Sequence, residues 1–254
     1  MSKQTTENHK ESMRKTYRGK EILKPMNTGW IDEHVACVRE WMANIFFYRK
    51  GDVTVMIDAG YDYDRLPEKM GWLGIAPGSI RHILITHQDT DHVGAVEADG
   101  PGLFKAARLY ISEAENRYLT GEACRRVNNG QHEHPQVSID NEMQIIHDCE
   151  VLDIGGIKVE CLLVPGHTWG HMVFLIDDKY LFTGDSIWFG ADGGHSFIDT
   201  LAEDNALSVK SLAALEEKLH SRGLRPLVIT GHSGWTDDLD FAFAHKGELC
   251  SLVL

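Results

Sequence analysis

The sequence predicts a layered α/β fold, with sheets covered by helices. Short β-rich apolar runs recur along the chain, amphipathic helical segments interleave with them, and the composition is that of an ordinary globular protein. The chain has 254 residues, 43% of them hydrophobic and 25% charged. That length suffices to bury a large core without disulfides or a structural metal.

Taken in order, the polar start MSKQTTENHKESMRKTYRGKE carries no apolar h-region, so it predicts a solvated arm over residues 1–27 and not a secretory signal. Residues 28–254 then form a single domain, since no linker, repeat or low-complexity stretch divides them. Residues 44–59 read as two strands joined at Lys50-Gly51-Asp52, and 80–86 as a short strand ending at a His/Asp cluster. Residues 109–111 form another strand, followed by a helix over 112–120 with Ser112 as its N-cap. The polar stretch 121–147 has weak periodicity and reads as an inserted loop or small helical cap. Strands follow at 157–164, 172–176 and 179–183, the last two paired around Asp177-Asp178. Leu212, Leu215 and Leu219 mark one face of a helix over 205–221, and 226–230 is a last strand.

Bulk properties limit the function. A formal charge of −13 disfavours non-specific binding to nucleic acid or anionic lipid, and no apolar run approaches a membrane span. The five cysteines are scattered and form no CxxC pair, which argues for reduced thiols and a cytoplasmic location.

The chemistry is concentrated where strands end. Thr86-His87-Gln88-Asp89-Thr90-Asp91-His92 leaves the strand at 80–86 and places four metal-competent side chains in six positions. Buried carboxylates are costly unless they bind something. Three more strands end in a glycine turn that delivers one His or Asp: Gly166-His167, Gly184-Asp185 and Gly231-His232. Ile57-Asp58-Ala59-Gly60 is a fifth ending of the same kind. A single such dipeptide means little; the ordered series is specific.

This set, His87-x-Asp89-x-Asp91-His92 followed by His167, Asp185 and His232, resembles the motif series of the metallo-β-lactamase superfamily over about Asn44 to Trp235. The resemblance implies an αβ/βα four-layer sandwich of two mixed β-sheets flanked by helices. It also implies two divalent ions, zinc ahead of iron or manganese. By position, His87, Asp89 and His167 would hold the first ion, Asp91, His92 and His232 the second, and Asp185 would bridge them. Asp91 would handle the proton in catalysis, and Asp58 would support the site from behind.

Asp89 departs from the pattern, because most hydrolytic members carry His there. The carboxylate lowers the charge of the site by one relative to imidazole. It resembles the flavodiiron branch, where the residue is Glu and the metals are iron. Among other candidates, His171 reads as a structural or ligand-orienting residue, and His132 and His134 as a solvated loop. His195, Trp188 and Phe189 are read as lining the groove or belonging to the core.

The expected function is a binuclear metal-dependent hydrolase of a small ester, lactone, thioester or phosphoester. A bridging Asp185 in place of Cys argues against antibiotic hydrolysis, and no GxSxG nucleophile motif is present. The alternatives are a di-iron redox protein and a non-catalytic binding module.

Overall fold

A computed structural model describes residues 15–61, 64–128, 130–134 and 136–253. Two mixed sheets form its centre. The seven-stranded sheet runs Met143–Ile146, Arg108–Ser112, His82–Leu84, Val53–Ile57, Ala43–Lys50, Val35–Glu40 and Gly29–Trp30 in spatial order. Its first four strands are parallel and the remainder antiparallel. The six-stranded sheet runs Val151–Ile154, Ile157–Leu163, Met172–Ile176, Tyr180–Phe182, Leu227–Thr230 and Gly234–Thr236, with one parallel pairing, between Tyr180–Phe182 and Leu227–Thr230.

Period-two alternation sorts the apolar side chains into three layers. Cys37, Phe46, Tyr48, Val55 and Ile57 meet Val159, Cys161, Phe174, Ile176 and Phe182 of the other sheet, forming a core between the sheets. Phe46 and Phe182 pack across it with ring centroids 5.7 Å apart. The alternate residues Ala36, Val38, Ile45, Phe47 and Met56 face outward onto Leu66 and Met70 of helix Leu66–Trp72. On the far side, Val173, Leu175 and Val228 pack against Leu212, Leu215 and Leu219 of helix Asn205–Ser221. The order helix, sheet, sheet, helix is the expected αβ/βα sandwich.

Local elements follow their sequence signals closely. The Ser112 hydroxyl caps helix Glu113–Leu119 by accepting from the Glu115 N–H, and Asp177 and Asp178 both adopt positive φ in their hairpin turn. Two regions differ. Within 121–147 the described residues form no helix: a short hairpin pairs Arg126–Val127 with Glu133 and His132, and Met143–Ile146 joins the main sheet beside Arg108–Ser112. At the start, residues 1–14 lie outside the described residues. From Lys15 the segment expected as an arm is engaged: Lys15–Arg18 pairs in parallel with His245–Val253, Ile22 is buried, and the Lys24 N–H donates to the His232 carbonyl. A four-stranded sheet of Lys15–Arg18, His245–Val253, Gly193–Ile198 and Ile187–Gly190 results. No helix among the described residues is long and apolar enough to cross a membrane.

Candidate metal centre

Five strands of the two central sheets deliver their polar endings to one edge of the sandwich. Val53–Ile57 leads to Asp58, His82–Leu84 to the His87 loop, Ile157–Leu163 to His167, Tyr180–Phe182 to Asp185, and Leu227–Thr230 to His232. All seven expected ligand residues come together there, and all except the more open Asp91 are buried.

The donor atoms fall into two groups. In the first, His87 Nε2 and His167 Nε2 lie 3.2 Å apart, and Asp185 Oδ2 is 3.9 and 3.8 Å from them. In the second, His232 Nε2 is 3.4 Å from Asp91 Oδ2 and 3.2 Å from Asp185 Oδ2, while His92 Nε2 is 3.3 Å from Asp185 Oδ1. His92 Nε2 and Asp185 Oδ1 are buried without a hydrogen-bond partner among the described residues. Buried imidazole and carboxylate atoms converging without partners fit divalent cations, and the donor chemistry suits zinc, iron or manganese.

The ring orientations are fixed from behind. Asp58 Oδ2 accepts from His92 Nδ1 at 2.8 Å. The Thr86 N–H and hydroxyl also donate to Asp58, and His87 Nδ1 donates to that hydroxyl at 3.0 Å. His232 Nδ1 donates to the Met42 carbonyl at 2.6 Å. In each ring the proton is held on Nδ1, leaving Nε2 as a lone-pair donor toward the site. His171 is a buried structural residue: its Nε2 accepts from the Asp185 N–H and its Nδ1 donates to Ser186 Oγ. It therefore holds the Asp185 turn, and burial keeps it well below the usual imidazole range.

Asp89 is engaged in a way the motif does not reveal. Its Oδ2 lies 3.3 Å from His167 Nε2 and 3.6 Å from His87 Nε2, within reach of the first group. Its carboxylate is also clasped by Arg125, with Nε donating to Oδ1 at 3.0 Å and Nη2 to Oδ2 at 2.9 Å. Arg125 is completely buried. The expected loss of one unit of charge relative to imidazole is therefore offset by a guanidinium, which corrects the electrostatic reading of Asp89 taken alone. His134, expected in a solvated loop, approaches the same carboxylate, its Nδ1 3.7 Å from Oδ1; His132 is exposed.

The potential is uneven across the site. Burial opposes ionisation of Asp89, but Arg125, His167 and His87 hold its carboxyl well below the usual range. Burial pushes His167 down to about 4. Burial likewise opposes a charge on His92, yet Asp185, Asp58 and Asp91 raise it well above the ordinary imidazole value. His232 is raised by Asp185 and Asp91 against the effect of burial. Negative potential is thus concentrated at the second group.

Two further buried carboxylates hold the site's loops. Glu115 accepts from the backbone N–H groups of Gln88 and Gly170, linking the His87 loop to the His167 loop. Glu203 accepts from the Trp169 N–H and the Tyr118 hydroxyl. Neither lies in a recognisable motif. Of the remaining candidates, Trp188 is core, donating from Nε1 to the Ile22 carbonyl, and the partly buried Phe189 packs on Phe241. His195 stacks on His245 at 4.7 Å and pairs with Asp192, forming a separate His/Asp group.

Fold and donor set together define a protein built to hold metal at the edge of an αβ/βα sandwich. The chain belongs to the metallo-beta-lactamase superfamily, whose family model matches residues 38–240. It is 29% identical over 191 residues to a hydroxyacylglutathione hydrolase of Serratia proteamaculans, a match covering 75% of this chain and 61% of that enzyme. A probable polyketide biosynthesis zinc-dependent hydrolase of Bacillus subtilis is 25% identical over 183 residues, 71% of this chain and 67% of the relative. Among solved structures, a B3 metallo-beta-lactamase described as having an active-site glutamic acid superimposes with a TM-score of 0.66 at 19% identity, covering 90% of this chain and 89% of that one.

Proposed function

We propose that the chain is a binuclear metal-dependent hydrolase of a small ester, lactone, thioester or phosphoester. The observation that carries this reading is the Asp185 carboxylate, whose two oxygens lie within 3.9 Å of donors from both groups. A carboxylate shared in this way can serve two closely spaced cations at once. His87, Asp89 and His167 would hold one ion, Asp91, His92 and His232 the other, and Asp185 would bridge. Zinc is the first expectation, supported by the zinc-dependent relative, and a thioester the first substrate to test, supported by the hydroxyacylglutathione hydrolases.

When bound, the ions would supply Lewis acidity and make water nucleophilic near neutral pH. The chain's own residues do the rest. Asp58, Thr86 and the Met42 carbonyl fix the imidazoles of His92, His87 and His232 in the liganding tautomer. Asp91 is the most open carboxylate of the set, its side chain 17% exposed, so it can take a proton from attacking water and return it to the leaving group. Attack by water breaks the acyl–sulfur, acyl–oxygen or phosphoester bond and yields the acid and the protonated leaving group.

The test is metal content and turnover together. Chelator-free purification followed by elemental analysis should give about two ions per chain. Asp185→Asn should lose at least one of them, with hydrolysis of a thioester and ester panel falling in parallel. A wild-type chain that takes up no transition metal on reconstitution would defeat the reading. So would full occupancy with no hydrolysis across the panel.

A further inference from the structure

Arg125 stands on the polar segment that follows helix Glu113–Leu119, 36 positions from its partner Asp89. A fully buried guanidinium is expensive, and its placement is specific. Two of its nitrogens grip Asp89, and Nη2 also donates to the Leu201 carbonyl at 2.8 Å and lies 3.5 Å from His167 Nε2. One fixed positive charge therefore sits at the rim of the first donor group and shares the Asp89 oxygen that faces it.

The second donor group has the opposite surroundings. Asp91 belongs to it, Asp58 backs His92 at 2.8 Å, and both oxygens of Asp185 lie within 3.3 Å of its imidazoles. At the first group the Asp89 charge is cancelled, whereas at the second, among the described residues, no guanidinium pairs with Asp58 or Asp91 and their carboxylates act on a cation undiminished. Cation affinity follows the net charge of the ligands when their number and type are alike.

We propose that Arg125 makes the two metal positions unequal, so that the Asp91–His92–His232 position fills first and the His87–His167 position binds its ion more weakly. This rests on the reading that the site takes two ions. Arg125 is a positioning and charge-compensating residue, not a catalytic one. The competing role is that it merely orients Asp89 as a ligand. Gln88 Nε2 already holds Asp89 Oδ1 at 2.9 Å, so the orientation survives without Arg125 and the charge dominates.

The two roles predict opposite signs. Loss of a group that only orients a ligand weakens metal binding, typically by about 10–100-fold. Under the proposal, Arg125→Met tightens the weaker event by about tenfold or more and leaves the tighter one in place, because one buried positive charge is gone. The experiment titrates zinc into the full, chelator-stripped chain by calorimetry and by competition with a chromophoric chelator, with circular dichroism as the check on folding. In wild type, two binding events at least about tenfold apart are expected, with His232→Ala removing the tighter and His167→Ala the weaker. Arg125→Lys keeps the charge and keeps the gap. Should Arg125→Met fail to fold, Arg125→Gln removes the same charge while keeping an N–H donor toward Asp89, and tightens the weaker event in the same way. Equal wild-type affinities, a reversed assignment by the two alanine variants, or a weakened or unmoved event in Arg125→Met overturns the inference while leaving the two-ion reading intact. No zinc uptake by wild type defeats both.

Discussion

Asp58→Asn tests whether the second row of hydrogen bonds sets the donors. The substitution is nearly isosteric, and the backbone tolerates it: Asp58 has a φ of 57°, a left-handed conformation that Asn accepts and most residues resist. The carboxylate is buried and accepts from the Thr86 N–H at 2.8 Å, the Thr86 hydroxyl and His92 Nδ1 at 2.8 Å. An amide offers one acceptor oxygen where two are used. If that oxygen faces Thr86, the NH2 confronts His92 Nδ1, which must then accept, and the ring proton moves to Nε2, the atom a metal needs. If it faces His92, the NH2 opposes the Thr86 N–H and leaves a buried donor unsatisfied, a cost of about 1–3 kcal/mol. Through the first arrangement metal affinity falls by about 10–100-fold, equivalent to about 1.4–2.7 kcal/mol. Through the second, the melting temperature of the metal-free chain falls by roughly 2–10 °C for a chain of this size. Chelator competition and calorimetry on the same preparation read both. An affinity within about twofold of wild type together with an unmoved melting temperature would refute the orienting role of Asp58, since one of the two costs must appear.

Two other substitutions probe the loops that carry the ligands. Gly166 has a φ of 141° and stands against the backbone and hydroxyl of Ser208, so Gly166→Ala should destabilise the chain by roughly 3 kcal/mol or more in denaturant unfolding; a change below about 1 kcal/mol would show that helix Asn205–Ser221 can give way. Glu115, pushed up to about 7 by burial, binds a proton in the folded chain between about 4.5 and 7 that the unfolded chain has released, so its contribution is present at low pH and lost as pH rises through 7. Glu115→Gln should therefore flatten the fall in stability across that window, while costing about 1–3 kcal/mol at pH 5 for the backbone N–H of Gln88 or Gly170 left facing an amide NH2. An unchanged pH slope in calorimetric melts would assign the proton elsewhere.

The strands were legible where an apolar run ended in a turn. Ile157–Leu163, Met172–Ile176 and Leu227–Thr230 fall within a residue or two of their expected bounds, because β-branched and aromatic residues there meet a pleated, buried surface on both faces. That double burial also hid the layer assignment: Phe46 and Phe47 are adjacent, equally apolar and both buried, yet face different cores. The strands Ile187–Gly190 and Gly193–Ile198 escaped notice because Gly190, Gly193 and Gly194 carry no side-chain pattern to read. Met143–Ile146 escaped because it is an edge strand with three of its four residues only partly buried. Residues 15–22 form their strand and short helix through pairing with the far end of the chain, a contact that local composition does not encode.

The ligands were legible for a related reason: each follows immediately on the strand that positions it, so spacing along the chain maps onto position at the sheet edge. Arg125 has no such link. It lies in a polar stretch of Glu122, Arg125, Arg126, Asn128 and Gln131, where an arginine ordinarily extends into water, and nothing local distinguishes it from Arg126 beside it. Arg126 is exposed and pairs with Glu133 at 3.1 Å; Arg125 is buried and pairs with Asp89. The difference is imposed by tertiary structure, through Glu203, which accepts from the Arg126 N–H and fixes the backbone so that consecutive side chains point to opposite sides. The departure at Asp89 was visible in the motif, but its electrostatic meaning was not, because a buried carboxylate's charge counts only together with the cation packed against it. A carboxylate in the place of an imidazole should therefore be read together with a search for its counter-ion, and here the counter-ion comes from the segment whose role the sequence left open.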